Sequence, residues 1–205
     1  MNEDDVIAAV STSPGGAPTA VVRISGSCAL EVLKKVAPGV EPPGHFRWKG
    51  AAIAFPGFSR PVECVLFFMR APASYTTEDV VEFHVPGAPP VADAALEALL
   101  SAGARPATAG EFTRRAFLGG RIDLSQAEAV ERLISAGDAS EFRAASRQLA
   151  GAIGRKVEEV NQAVVETLAL VEMGIDFAEQ DLELATKEEL KTRLNDSLKR
   201  VEMLL

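Results

Sequence analysis

The sequence has little cysteine, since Cys28 and Cys64 are its only two among 205 residues. Two thiols so far apart are too few for a disulfide framework or a cysteine metal site. They fit two small core residues instead. The N-terminal segment MNEDDVIAAV is acidic, whereas a secretory signal peptide would be basic. We therefore expect a cytoplasmic protein without a structural metal.

Long hydrophobic runs and nucleotide-binding motifs are also missing. No run approaches the ~20 apolar residues of a membrane-spanning helix, so we expect no membrane association. The pattern GxxxxGK[ST] of a P-loop does not occur, so we expect no GTP site in this chain. The glycine-rich stretch 11–18, STSPGGAP, predicts a turn between strands, and a phosphate-binding loop is the alternative.

The net charge of −8 is unevenly distributed along the chain. Residues 1–122 carry 12 acidic and 11 basic side chains, whereas residues 123–205 carry 17 and 10. Lysine and arginine contacts to phosphates dominate nucleic-acid affinity. The acidic second half is therefore a poor surface for RNA, and we expect any tRNA contact to be indirect.

The first half contains short apolar runs broken by glycine and proline, which predict a sheet. Strands are predicted over 6–10, 20–24, 46–55, 62–69 and 80–84, a short strand or loop over 104–107, and helices after Ser27 and over 91–100. The run 62–69, VECVLFFM, is apolar at nearly every position and predicts a central strand buried on both faces. Consecutive strands imply antiparallel pairs. The predicted class is α+β, a mixed sheet with helices on one face.

The second half predicts an all-α region. Two capping boxes are visible, Ser125 with Glu128 and Thr186 with Glu189. Each box predicts a helix start at its first residue. An apolar stripe then follows the second box to Leu205.

A long amphipathic pattern lies between these two boxes. Apolar residues recur every three or four positions from Phe142 to Ile175 and predict one helix of more than thirty residues. Asp138 or Ser140 is the expected cap. The acidic run 176–184 predicts a loop between helices, and a metal-binding cluster is the alternative.

The segment 110–130, GEFTRRAFLGGRIDLSQAEAV, joins the two halves. It predicts a short helix that Gly119 and Gly120 terminate, because glycine enters the left-handed conformation without steric cost. Arg121 lies between this helix and the next one. A solvated arginine at a corner is one interpretation, and a rigidly held anion ligand is the other.

This segment resembles the sequence that joins the N-terminal and helical domains in the MnmE (TrmE) family of tRNA modification GTPases. VVRISG at 21–26 and SYTTEDVVEF at 74–83 extend the resemblance over the first half. It implies an N-terminal folate-binding and dimerisation domain over 1–121 and part of a helical domain over 122–205. The GTP-binding domain of the family has no counterpart here.

The resemblance also implies ligand contacts. Arg23, Glu82 and Arg121 match family positions that bind a tetrahydrofolate derivative, 5-formyl- or methylene-tetrahydrofolate, with lysine usual at the third. A carboxylate can accept hydrogen bonds from the amide and amino groups of a pterin, and cations suit the glutamate tail. No catalytic residue is predicted. His84 could be a general base, but a cross-strand or solvent-facing side chain is favoured.

The implied function is the folate-binding and dimerisation part of an enzyme that modifies the wobble uridine of tRNA at C5 by (carboxymethyl)aminomethylation. The family works as a homodimer with an FAD-containing partner protein. Lacking a P-loop, this chain is not expected to hydrolyse GTP itself.

Two departures from the family pattern motivate an alternative. The family motif TGED is TTED at 76–79, and a His-Gly-Gly loop is replaced by VPGAPP at 85–90. Proline in place of glycine changes how closely a ligand can approach the backbone. The alternative function is a degenerate dimerisation scaffold that binds no folate.

Overall fold

The computed structural model describes residues 5–13, 17–42, 44–176 and 185–203. The chain divides into two compact units, and the boundary between them in the sequence lies between Ile122 and Asp123. The first unit combines a sheet with helices and the second is helical, which confirms the predicted α+β class. No described helix is long and apolar enough to span a membrane. The predictions for residues 14–16, for the acidic run at 177–184 and for Leu205 lie outside the described residues.

A six-stranded mixed sheet forms the centre of the first unit. Its strands are β1 Ile7–Val10, β2 Thr19–Ser25, β3 Arg47–Ile53, β4 Val62–Met69, β5 Val80–Pro86 and β6 Arg105–Pro106. Their order in the sheet is β3-β4-β5-β2-β1-β6. Only the short β1–β6 pair is parallel, whereas the other four are antiparallel.

Two helices, α1 Ala29–Val36 and α2 Pro89–Ser101, cover one face of this sheet. Alternate strand residues point into the core between them because side chains alternate across a strand. Large fully buried side chains of this core include Ile24, Leu66, Phe68 and Phe83 from the strands and Leu33 and Leu99 from the helices. Proline opens α2, where its missing N–H would have had no helical partner.

The opposite face, hereafter the open face, is largely uncovered. The prediction that β4 is buried on both sides is therefore wrong, since Glu63 and Phe67 are exposed. Val65, Phe67 and Met69 on this face are apolar, which is why the sequence pattern suggested burial on both sides. A third helix, α3 Glu111–Leu118, lies near one end of the open face, where Phe112 contacts Arg23.

The described residues of the second unit form four helices, α4 Leu124–Ser135, α5 Ala139–Leu149, α6 Ala152–Asp176 and α7 Lys187–Glu202. The prediction of one continuous helix from Phe142 is wrong. Gly151 lies between α5 and α6 and adopts a left-handed φ of 75°. Glycine allows this conformation at low steric cost because it has no Cβ. The apolar periodicity continues across this break and concealed it.

Large apolar side chains remain exposed on α6 and α7. The two helices are in contact, and their buried polar residues are Thr167 and Ser197. The exposed side chains are Val157, Val164, Val165, Leu168, Met173, Ile175, Leu194, Leu198 and Val201. Large apolar side chains exposed in this number can serve an interaction site where they form one patch.

At two of three helix N-termini in the helical unit, the observed cap is the one that the sequence predicted. Thr186 and Glu189 form the predicted capping box, and Asp138 accepts hydrogen bonds from two backbone N–H groups of α5. The box predicted at Ser125 is wrong, because Asp123 is the N-cap and pairs with Gln126. The Ser125 hydroxyl instead accepts a hydrogen bond from Gln148 Nε2 at 3.2 Å.

Replacing Asp123 with alanine is expected to lower the free energy of unfolding of the helical unit by about 1 kcal/mol, because the cap bond to the Gln126 N–H is lost. Ser125→Ala leaves the cap intact and should cost about 0.5 kcal/mol. Urea unfolding followed by far-ultraviolet circular dichroism measures both. A larger loss in Ser125→Ala would contradict the assignment of the cap.

Candidate ligand-binding site

Arg23 and Glu82 form a cross-strand ion pair on the open face. The β2–β5 register places them directly opposite each other. Arg23 Nε donates to Glu82 Oε1 at 2.9 Å, and Nη2 lies 2.7 Å from the same oxygen. Their side chains are 28% and 18% exposed, so water reaches both. The fold therefore brings together two of the three predicted ligand contacts.

His84 contacts the other oxygen of the same carboxylate. Its Nε2 lies 3.0 Å from Glu82 Oε2, as expected for residues two apart on one strand face. The ring also packs against Phe67, with centroids 4.5 Å apart. Sequence reasoning gave His84 no role at the site, although its spacing from Glu82 placed both on one face.

An aromatic ring from α3 completes the surroundings of Arg23. The guanidinium carbon of Arg23 lies 5.5 Å from the centroid of Phe112, within the range of a cation–π contact. The guanidinium is thus held by a carboxylate on β5 and by a ring on α3.

Arg121 lies beyond the end of α3 and is exposed. Its backbone N–H donates to the Ala116 carbonyl at 2.8 Å, which fixes the chain at this point. Within the described part of the chain its guanidinium makes no ion pair and no hydrogen bond. Arg121 is therefore an exposed cation that does not contact the Arg23–Glu82 pair.

A groove with a volume of about 800 Å³ runs along the open face beside His84. Its floor is mainly small or apolar because β3 contributes Gly50 and Ala52. The other lining residues on this face include Thr19, Glu63, Val65, Phe67, His84 and Pro86. Small-molecule sites typically have volumes of 300–1,000 Å³ and mostly apolar walls.

The segment that departs most from the family pattern packs tightly against another stretch of backbone. β5 continues through Pro86, and the Gly87 N–H donates to the Pro18 carbonyl at 3.0 Å. A side chain at Gly87 would collide with the Ala17 carbonyl oxygen. The retained glycine therefore permits this crossing, and α2 begins two residues later.

A buried network of ion pairs holds α3 against the sheet. Arg115 is 4% exposed and contacts Glu78 Oε1 at 2.9 Å and the Asp5 carbonyl at 3.0 Å. Glu78 also accepts a hydrogen bond from Ser25 at 2.7 Å. These contacts connect the first strands to the helix that carries Phe112.

Glu111 is the second buried centre of this network. Arg105 donates to both of its carboxylate oxygens, and the Thr108 N–H donates to Oε2 at 2.8 Å. The Arg105 hydrogen bonds lower the pKa of Glu111 to about 2. The same contacts raise the pKa of Arg105. The sequence analysis missed this network, although Glu111 and Arg115 occupy facing positions four residues apart on a helix.

The two cysteines and the potential metal ligands bear on the expectations drawn from the sequence. Both cysteines are free, and burial raises the pKa of the Cys64 thiol to about 11, so this thiol stays protonated at neutral pH. Among the described residues no group of three or more His, Cys, Asp and Glu side chains could hold a metal ion.

Comparison with known families covers both units. Residues 6–121 match the model described as "GTP-binding protein TrmE N-terminus" and residues 124–205 match the "MnmE helical domain". The chain belongs to the MnmE (TrmE) family. It contains the N-terminal and helical portions of that family, as the resemblance implied, without the GTP-binding motif.

Relatives named tRNA modification GTPase MnmE match the chain throughout. The Chlamydia felis protein is 39% identical over 211 residues, which cover 100% of this chain and 46% of the relative. The Thermus thermophilus protein is 39% identical, with 100% and 48% covered, and the Alkaliphilus oremlandii protein is 42% identical, with 89% and 41%. The chain thus spans less than half the length of these MnmE relatives.

Proposed function

We propose that this chain forms the folate-binding and dimerising part of an MnmE-type GTPase that modifies C5 of the wobble uridine in tRNA. The observation that carries the proposal is the Arg23–Glu82 pair on the open face, beside a groove of suitable volume. The matched N-terminal region contains both residues. The ligand would be 5-formyl- or methylene-tetrahydrofolate, which supplies a one-carbon unit when bound.

Glu82 has the acceptor capacity that a pterin requires. A carboxylate offers about four acceptor positions, and the protein donors are Arg23 at Oε1 and His84 at Oε2. Oε1 already contacts two nitrogens of Arg23, so Oε2 is the oxygen that can accept a further hydrogen bond from a ligand amino or amide group.

Arg121 fits the anionic end of the same ligand. Its guanidinium is exposed, and none of the described side chains forms an ion pair with it. Charge-assisted pairs between arginine and a carboxylate are among the stronger hydrogen bonds in proteins. We assign Arg121 to the glutamate tail of the folate.

The partners are proposed from the family and from the charge of the helical unit. A second copy of the chain and an FAD-containing protein would complete the enzyme, in the cytoplasm. Direct tRNA contact by the acidic helical region is disfavoured because it lacks excess cations. The exposed apolar side chains of α6 and α7 suit packing against protein.

Glu82→Ala is expected to weaken 5-formyl-tetrahydrofolate binding by about 10- to 100-fold, because hydrogen bonds to a charged group are lost. Isothermal titration calorimetry measures this change. Glu97→Ala, which removes an exposed glutamate from α2, is the matched control and should bind like the wild type. The absence of heat from the wild type at millimolar ligand would refute folate binding.

The degenerate scaffold remains the second candidate because Glu82 already has protein partners at both oxygens. In that case the ion pair serves only the sheet. The scaffold predicts a stable dimer in light scattering whose unfolding temperature does not change with folate. A ligand-dependent increase in that temperature would exclude it.

A further inference from the structure

The imidazole of His84 lies between the Glu82 carboxylate and the groove on the open face. Its Nε2 is 3.0 Å from Glu82 Oε2, and its ring packs on Phe67. His84 and Phe67 both line the groove, whereas Glu82 does not. His84 is therefore the groove residue that contacts the Glu82 carboxylate.

The contacts at Glu82 divide its two oxygens between two donors. Arg23 holds Oε1 from the neighbouring strand. His84 holds Oε2 from the same strand. Two donors on opposite oxygens fix the plane of a carboxylate, whereas Arg23 alone would leave it free to rotate about the Oε1 contact. Fixing a binding group in advance lowers the entropic cost of ligand binding.

Packing keeps the imidazole itself in place. The Phe67 ring lies against it, and Val65 and Val21 are its partners on the two neighbouring strands. β-Branched neighbours have few side-chain conformations. The His84 ring is thus supported independently of any ligand.

We propose that His84 is a positioning residue of the folate site, which acts by holding the Glu82 carboxylate in the plane that faces the ligand. This inference depends on the proposed function and adds a residue to it. The required group is the ring N–H donor at Nε2. Glutamine can present an amide N–H from a similar distance along its side chain, whereas leucine cannot.

The test compares the affinity of 5-formyl-tetrahydrofolate, measured by calorimetry, among the wild type, His84→Gln and His84→Leu. Loss of a donor to a charged acceptor should weaken binding about tenfold in His84→Leu, and His84→Gln should stay within about threefold of the wild type. His45→Leu is the control, because the other histidine of the chain accepts a hydrogen bond from Arg70 N–H and lies outside the groove.

The unfolding temperature of each variant is measured in parallel. Recovery of affinity in His84→Gln supports positioning, because a general loss of packing would weaken both variants alike. Wild-type affinity in His84→Leu, or equal losses in both variants, would overturn the inference and leave the folate proposal intact. A wild type that binds no folate would overturn both.

Discussion

Glu111→Ala is expected to lower the free energy of unfolding of the first unit by about 3 kcal/mol, the lower end of the range for breaking a buried ion pair. The loss stays at that end because Arg105 and Arg115 both keep Asp5 as a partner. Glu111 is 4% exposed and accepts hydrogen bonds from Arg105 and from the Thr108 N–H. Loss of the Glu111 carboxylate would also remove the contacts that hold the first turn of α3. This helix positions Phe112 over Arg23.

Hydrogen exchange measures this change for the first unit alone. The amides of β2 lie in the middle of the sheet and exchange when the whole unit opens. Glu97→Ala removes an exposed glutamate from α2 and should change stability by less than about 0.5 kcal/mol. Equal protection of the β2 amides in Glu111→Ala and in the control would contradict a structural role for the network.

Because the pKa of Glu111 is lowered in the folded protein, the stability that this carboxylate contributes depends on pH. Arg105 lowers this pKa from its ordinary value of 4.5 to about 2. The resulting stabilisation, about 3 kcal/mol, is fully present above about pH 4.5 and disappears as the pH falls towards 2. Acid unfolding of the Glu111→Gln variant should therefore depend less steeply on pH than that of the wild type.

Gly119→Ala is expected to destabilise the first unit by about 1–3 kcal/mol, the usual cost of overpacking. Gly119 has an ordinary φ of −78°, so its backbone does not require glycine. The available space does require glycine, because an added Cβ at position 119 would collide with Thr77 Oγ1. The predicted role of Gly119 as a left-handed terminator belongs to Gly120, whose φ is 71°.

Thr77→Gly should relieve this collision and restore most of the stability of Gly119→Ala. Thr77 itself has a φ of 64°, a strained conformation for a β-branched residue. Thermal unfolding of the single and double variants gives the coupling energy. Additive losses would show that the two positions are independent.

Strand and helix positions in the first unit followed from local patterns because alternation and glycine or proline breaks act within a few residues. Side-chain polarity alternates in the segments VVRIS and VVEFH, and the structure places these segments in β2 and β5. Their register also put Arg23 opposite Glu82. Register depends on pairing between distant segments, so the sequence pattern alone could not give this contact.

The errors share a physical cause, which is that local rules do not distinguish competing partners. Ser125 and Asp123 both suit an N-cap, and the Gln126 side chain decided in favour of Asp123. The network at Glu111 and Arg115 was missed because Asp5, which contacts Arg115, lies 110 residues away in the sequence. The exposure of β4 depended on which face the helices cover.

The central claim is that Arg23, Glu82 and Arg121 contact one folate molecule. The most direct measurement is a titration of the ¹⁵N-labelled chain with 5-formyl-tetrahydrofolate, following the Nε–H resonances of Arg23 and Arg121 by NMR. Our account predicts that both shift with one dissociation constant and that neither shifts in Glu82→Ala at the same ligand concentration. A shift at Arg23 alone, or no shift at either arginine in the wild type, would contradict it.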